Sequence, residues 1–344
     1  MRSVLHSLLG IGLCLATVGC SDGPATPPSQ GGAGAGQGAT GAGGGGKTLR
    51  IAVIPKGTTH DFWKSVHAGA LDAAQETPGV QVIWNGPDNE KDKEQQIKIV
   101  DTFVNDKVDG ICIAPIDRDA LIEPIRRAKQ AGIPVVVFDS GLSDTSDIVS
   151  YVATDNYQGG VLAARHLAGL LNGEGGVVLL RYLEGSESTE QREQGFLETL
   201  GKEFPKVEIL SENQHVNSDA AEALQKGTSI LQDLGPKVKG VFTVCEPNNK
   251  GMLQALEDLQ LAGKVQFVAF DSDPLVVRGL TEDKVHGVVL QNPVKMGYLA
   301  VQTIANHIAG KPVEKRVSTG EELATKANMS SPEMQALLNP KQAN

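Results

Sequence analysis

Several side chains able to bind a polar ligand fall just past apolar runs of strand length. Asp139 follows the run 133–138, Asp271 follows 265–270, and Gln291 follows 285–290. Glu246 lies beyond the run 238–244, and Arg192 lies in the polar stretch after 176–181. His60, Phe62 and Trp63 follow the first run, 49–54, in the segment Lys56-Gly57-Thr58-Thr59-His60-Asp61-Phe62-Trp63. Acids and amides hydrogen-bond hydroxyl groups in bidentate fashion, a guanidinium presents a fork of donors, and an aromatic face stacks on the C–H face of a pyranose or furanose. Such groups, set in an otherwise apolar cleft, suit a neutral polyol.

Each residue also has a plainer reading. Asp139 and Asp271 could cap the helices that follow. In the first helix Phe62 fits a buried face with Val66, Gly69, Ala70 and Ala73, which leaves Trp63 off that face and free to stack on a ligand. His60 fits a cap-region loop, Arg192 a solvated helix start, and Gln291 a hinge whose backbone it satisfies. Asp117 reads as the cap of a helix near Asp119, and Asp155 with Asn156 as the organiser of a chain crossing. A pair such as Asp139 and Asp271 also admits glycosidase chemistry. No second catalytic signature accompanies it. The seven His form no H-E-x-x-H pattern, and Ser186 lacks the second glycine of a nucleophile elbow. No enzyme, metal or cofactor is therefore expected.

The elements that must position these residues alternate. Strands are predicted at 49–54, 80–84, 108–114 and 133–138, with helices from about Asp61, at 92–105 and at 119–131. A second series runs through helix 157–171, strand 176–181, helix 189–201, strand 207–211, helix 218–234, strand 238–244, helix 248–261 and strand 265–270. A strand at 285–291 and a helix at 293–309 follow, then a less regular tail with a turn into a short helix near Met329–Glu333. The strands are continuous apolar runs rather than alternating ones, as in parallel sheets covered on both faces. The fold class is α/β, with two similar doubly wound lobes. In such sheets ligands bind at the carboxyl ends of the strands.

The remainder of the 344-residue chain narrows the setting. Arg2, an apolar stretch from Leu8 to Val18, and Gly19-Cys20 read as an export signal too short to span a bilayer. Cleavage before Cys20, with lipidation of that cysteine, would give a lipoprotein. Residues 21–47 are rich in Gly, Pro, Ser and Ala and read as a flexible tether. Gly36–Gly41 formally matches a dinucleotide fingerprint, but no strand precedes it and no helix follows. Cys112 and Cys245, each in an apolar run, read as buried thiols. A formal net charge of -10 and the absence of a basic stripe argue against nucleic acid.

In this order the motifs resemble the periplasmic sugar-binding proteins of the ribose- and galactose-binding type, the type I periplasmic binding fold, over roughly residues 49–312. The resemblance is carried by His60-Asp61-Phe62-Trp63, Val108–Pro115, Gly132–Val136 running into Phe138-Asp139, Thr154-Asp155-Asn156 with Gly159-Gly160, Arg192–Phe196, Val268–Asp271 and Leu290-Gln291. It implies two lobes joined by three crossings, with lobe 1 at 48–153 plus 292–320, lobe 2 at 154–291 and a tail at 321–344. It also implies His60, Phe62, Trp63 and Asp139 as ligand contacts from the first lobe, Arg192, Glu246 and Asp271 from the second, and Gln291 at the hinge. The expected partners are a small-molecule sugar, ABC permease and ATPase subunits, and the membrane through the lipid anchor, with the protein a monomer on the outer side of a bacterial membrane. The ribose pattern has Arg where this chain has Ser140, Asn where it has Cys245, and an aromatic near Asn217-Ser218. A sensor for a membrane receptor is the other reading. A repressor is not, because an export signal and tether stand where its DNA-binding helices would be.

Overall fold

The computed structural model describes residues 48–343. The expected signal, Cys20, the tether and Gly36–Gly41 lie outside the described residues. The first series is β1 (Leu49–Ile54), α1 (Asp61–Glu76), β2 (Val80–Trp84), α2 (Lys93–Asn105), β3 (Gly110–Ile113), α3 (Ile122–Gln130), β4 (Val135–Phe138) and β5 (Ser150–Ala153). The second is α4 (Asn156–Leu170), β6 (Glu174–Arg181), α5 (Glu187–Glu203), β7 (Lys206–His215), α6 (Ala220–Leu234), β8 (Val238–Thr243), α7 (Glu246–Asp258), β9 (Gln266–Phe270), α8 (Pro274–Thr281) and β10 (Gly287–Leu290). Then come α9 (Pro293–Ile308), β11 (Arg316–Ser318), β12 (Glu322–Ala324) and α10 (Pro332–Leu338).

The strands form two six-stranded sheets, ordered β11-β5-β4-β3-β1-β2 and β12-β10-β9-β8-β6-β7. All pairings are parallel except β10 with β12. The central strands β3, β4 and β10 are buried along their whole length, and each sheet carries an apolar core on both faces. This is the two-lobed α/β arrangement predicted from continuous apolar strands. The chain passes between sheets from β5 to α4, from β10 to α9, and from β11 to β12.

Local signals set the helix starts. The side chains of Asp92, Asp155, Asp219, Asp273, Asn292 and Ser331 each accept a backbone N–H in the first turn of the next helix. Asp117 accepts from Asp119 and Ala120, but a tight turn intervenes and α3 begins only at Ile122. Two elements differ from expectation. α8 begins at Pro274, capped by Asp273, in a stretch where the sequence pattern predicts no element. β7 runs to His215 rather than 211, because an edge strand can continue with its outer half exposed. The tail is not detached: Met334 and Leu338 of α10 enter a core of the second lobe.

The two lobes repeat one packing device. α1 crosses α9, and α4 crosses α5, at backbone contact. A Cβ on Gly69 would lie 1.9 Å from the Val294 carbonyl oxygen, and one on Gly297 would lie 2.0 Å from that of Val66. In the second lobe, Gly160 would meet the Arg192 carbonyl oxygen at 2.1 Å and Gly195 that of Tyr157 at 2.1 Å. Here the missing side chain serves close approach, and it fixes how α5 presents Arg192 to the cleft. We expect Gly297→Ala to lose about 1–3 kcal/mol of unfolding free energy through overpacking. Gly169→Ala, which meets nothing within 4 Å, should be neutral or slightly stabilising. Equal denaturant midpoints for the two variants would contradict the close-contact account.

Candidate functional site

The carboxyl ends of both sheets face one cleft between the lobes. Asp139 directly follows β4 and Asp271 directly follows β9, and the two are built alike. Asp139 N–H donates to the Val152 carbonyl at 3.0 Å, and Asp271 N–H to that of Val289 at 2.9 Å. Both take left-handed backbone conformations, with φ of 62° and 74°. Asp tolerates this region better than most residues, though at some conformational cost. Neither side chain caps a helix. All eight sequence-predicted residues, His60, Phe62, Trp63, Asp139, Arg192, Glu246, Asp271 and Gln291, line a single cavity of about 360 Å³.

On the first lobe a buried cluster surrounds Glu90. Its Oε1 lies 2.7 Å from His60 Nδ1 and accepts the Trp63 Nε1–H at 2.8 Å. Its Oε2 accepts the Tyr182 hydroxyl of the opposite lobe at 3.0 Å. Burial opposes ionisation of Glu90, but the bond to His60, the charges of His60 and Lys56 and the Trp63 N–H outweigh it, and its pKa falls to about 2. Burial likewise opposes charge on His60, yet Glu90 holds the imidazole pKa above its ordinary value. Beside this cluster Lys56 Nζ lies 3.2 Å from Asp139 Oδ2 and donates to Ser186 and Ser188 Oγ at 3.2 and 3.1 Å.

On the second lobe Arg192 is fixed on all sides. Its Nε donates to Asn156 Oδ1 at 2.9 Å and its Nη1 to the Val244 carbonyl at 2.8 Å. The guanidinium lies over the Phe270 ring at 3.8 Å and faces Asp271 Oδ2 at 3.5 Å. Gln291 Nε2 donates to Asp271 Oδ1 at 2.7 Å. Burial nevertheless pushes Asp271 up to about 6, against the opposing pull of Arg192 and Gln291. Glu246 reaches across the cleft and accepts the N–H groups of Asp61 and Phe62 at 3.4 and 3.1 Å, while Lys250 Nζ donates to it at 2.6 Å. It lines the cavity and also closes the N-terminus of α1, where a carboxylate is favoured by the helix dipole.

The lobes are therefore in contact. Ser188 N–H donates to Ser140 Oγ at 3.1 Å, Gly141 N–H to Glu187 at 2.8 Å, and Arg118 pairs with Glu190 at 2.5 Å. Ser140 stands where the ribose pattern has Arg, and here it joins the lobes.

The sequence reading assigned the aromatic pair the wrong way round. Trp63 is 2 % exposed and belongs to the core, in a stripe with Val66, Ala70 and Ala73, whereas Phe62 is only partly buried and packs edge-on to Trp63 at 4.9 Å. Spacing of three and four residues from Trp63 carries that stripe. Lys56, Glu90 and Tyr182 also line the cavity and were not among the eight. Lys56 stands in the loop after β1. Tyr182 directly follows β6, where the strand-end rule could have found it, whereas Glu90 lies six residues past β2 and is brought in by the fold. Cys112 and Cys245 are both buried, and burial raises both thiol pKa values. Among the described residues no group of His, Cys, Asp and Glu is arranged to hold a metal, and no helix is long and apolar enough to cross a membrane.

Two parallel-sheet lobes with a polar cavity at their strand ends define a two-lobed solute-binding protein. Residues 51–312 match the family described as periplasmic binding protein domain, and the chain belongs to it. That family consists of substrate-binding transport proteins rather than enzymes. Among its relatives, the ribose import binding protein of Bacillus subtilis is 26 % identical over 280 residues, 81 % of this chain and 88 % of that protein. The xylitol-binding protein of Mycolicibacterium smegmatis is 28 % identical over 247 residues, 71 % of this chain and 68 % of that protein. A carbohydrate transporter solute-binding protein from Agrobacterium radiobacter, solved with D-arabinose, superposes with a TM-score of 0.81 at 34 % identity, covering 85 % of this chain and 99 % of that one. One from Agrobacterium vitis, solved with α-D-tagatopyranose, gives 0.80 at 30 % identity, covering 85 % and 100 %.

The His60–Glu90 pair predicts a pH signature. A folded-state pKa raised above the ordinary 6.5 contributes stability that is fully present below 6.5 and is lost as pH rises through the raised value. His60→Ala should therefore lower the melting temperature most near pH 5.5 and less near pH 9, about two to three units above the ordinary histidine value. A difference that is constant across this range would mean that His60 contributes no charge to the pair.

Proposed function

We propose that this protein captures a neutral monosaccharide between its lobes, outside the cytoplasmic membrane, and delivers it to an ABC-type importer. The observation that carries this reading is the charge balance of the cavity. Lys56 faces Asp139, His60 faces Glu90, Arg192 faces Asp271, and Lys250 faces Glu246, at 3.2, 2.7, 3.5 and 2.6 Å. Every cavity carboxylate has its own cationic neighbour, so the site has no excess charge for an anionic or cationic ligand to neutralise. A polyol instead offers hydroxyls, each able to donate and accept. Gln291 Oε1 is buried without a hydrogen-bond partner, and Asp271 is buried enough to raise its pKa; both gain from a hydroxyl donor.

In this reading His60, Asp139, Arg192, Asp271 and Gln291 supply polar contacts, Phe62 and Trp63 the aromatic wall, and Glu246 both a wall and a latch. The related proteins with sugars in their names, and the two solved with monosaccharides, support the ligand class. The expected lipid anchor at Cys20 would hold the protein to the membrane, and it would act as a monomer on the permease, whose ATPase subunit binds the nucleotide.

Purified protein, freed of carried ligand by unfolding and refolding, should gain melting temperature with a subset of pentoses or hexoses and with no amino acid. Failure of every monosaccharide, with an amino acid or organic acid binding instead, would overturn the assignment. For the sugar that binds, Asp139→Ala should weaken affinity by about 1–3 kcal/mol, roughly 5- to 150-fold in Kd. Unchanged affinity in a folded variant would remove Asp139 from the site.

A further inference from the structure

The segment that follows α10 runs from one lobe to the other. Its near end is built into the second lobe, where Met334 and Leu338 enter the apolar core and Ser272 Oγ donates to the Leu338 carbonyl at 2.7 Å. Farther on it lies along α1 of the first lobe. Lys341 Nζ pairs with Asp72 at 2.5 Å, and the Ala343 N–H donates to the Lys64 carbonyl at 3.0 Å. The lobes are thus linked once more, in addition to the three passages of the chain between the sheets. The match to the family ends at residue 312, so this link lies outside it.

Between its two ends the segment passes the flank of the cleft. Asn339, Pro340 and Gln342 border a chamber with Phe62, Asp271 and Gln291, which also line the ligand cavity. Parting of the lobes separates the start of α1 from the second lobe, where Glu246 accepts its first N–H groups. Leu338 and Lys341 stand three positions apart in the sequence. Even fully extended, that stretch spans only about 10 Å, so the segment cannot follow a wide opening while fast at both ends. The two ends differ in strength. At the second lobe, release would expose two large apolar side chains. At α1 it would break one amide hydrogen bond and one ion pair whose lysine side chain is 62 % exposed, both small net terms. The α1 end is the one that lets go.

We propose that residues 339–343 are a strap that holds the lobes together: docked on α1 it favours the closed form, and its release from α1 accompanies opening and sets how fast ligand exchanges. The inference rests on the capture of a ligand between the lobes, as read above, and not on which ligand that is. The strap travels with the second lobe when the cleft opens and docks again on closure.

The test needs no ligand. Cys245 lines the cavity and is 8 % exposed with the lobes closed, whereas Cys112 is fully buried and its Sγ donates to the Ala300 carbonyl at 3.4 Å. Alkylation of the ligand-free full chain by N-ethylmaleimide at fixed pH, read by mass spectrometry of each cysteine peptide, reports opening at Cys245 and global unfolding at Cys112. Lys341→Glu sets like charges together at Asp72, and Ala343→Pro removes the donor to Lys64. Each should speed alkylation of Cys245 roughly two- to tenfold and leave Cys112 unmodified. Adding Asp72→Lys to Lys341→Glu restores the pair with its signs exchanged and should return the rate to that of the unaltered chain. Unaltered rates in both single variants would overturn the strap, and so would a double variant as fast as Lys341→Glu. Should Cys112 react in one single variant, that variant has unfolded and the other decides. The alkylation result stands whether or not D-ribose, D-arabinose, D-xylose, D-galactose or D-glucose binds. Binding by none of them would strike the sugar reading alone, and unaltered alkylation would strike the strap alone.

Discussion

A charge enclosed between two lobes that must also part cannot depend for its only partner on the lobe opposite, because each opening would strand it. The cavity obeys this constraint at every pair. Lys56 and Asp139 belong to the first lobe, as do His60 and Glu90, while Arg192 and Asp271, and Glu246 and Lys250, belong to the second. What crosses the cleft within the cavity is a neutral group on one side: the hydroxyls of Ser186 and Ser188 toward Lys56, that of Tyr182 toward Glu90, and the N–H groups of Asp61 and Phe62 toward Glu246. Water can replace a hydroxyl or an amide N–H at modest cost when the lobes separate. Replacing the counterion of a buried charge would be far more expensive. The ion pair that does cross, Arg118 with Glu190, sits at the rim, where the Arg118 side chain is 43 % exposed and solvent screens its loss.

This division explains how ligand binding can drive closure. Opening gives up neutral cross-cleft hydrogen bonds, each a small net term, so open and closed forms differ by little. A ligand that bonds to both lobes then has leverage over that balance, as a population shift requires. The strained backbones of Asp139 and Asp271 belong to the same design. A left-handed residue at the end of a strand breaks its line and sets a carboxylate at the cleft, and the surrounding ladder holds it there through the bonds to Val152 and Val289.

The periodicity of the sequence made the layers readable because parallel strands buried on both faces must be apolar throughout. β3, β4 and β10 meet that condition and β9 meets it from Phe267 onward, and the residues just beyond β4, β9 and β10 were found by strand position alone. β5 opens on Ser150 and Tyr151 rather than on an apolar run, and β11 and β12, three residues each, are too short to show a period. α8 is only eight residues long, too short for its period to stand out, and its start is marked only by the cap Asp273 and by Pro274 at the first helical position. Glu90 lies too far past β2 to be reached from the strand end, and only the fold brings it to Trp63 and Tyr182. The exchange of Phe62 and Trp63 has a different cause. Both fit an apolar stripe by spacing, and the choice falls to the first turn of α1, which projects into the cleft and leaves Phe62 uncovered.

The departure at Ser140 can be followed to its consequence. The resemblance places an arginine after the first-lobe carboxylate, and here the cation next to Asp139 comes instead from Lys56, beyond the end of β1. The Lys56 ammonium lies 3.2 Å from Asp139 and donates to Ser186 and Ser188, so it balances the carboxylate while two of its three donors are spent on the opposite lobe. Ser140, freed from that role, accepts from Ser188 and draws the start of α5 toward the first lobe. The polar demand on a ligand thus moves away from this side and toward Asp271, Arg192 and Gln291, where an acceptor still lacks its donor. Recognition of the sugar should be strictest at the hydroxyls that face the second lobe and the hinge.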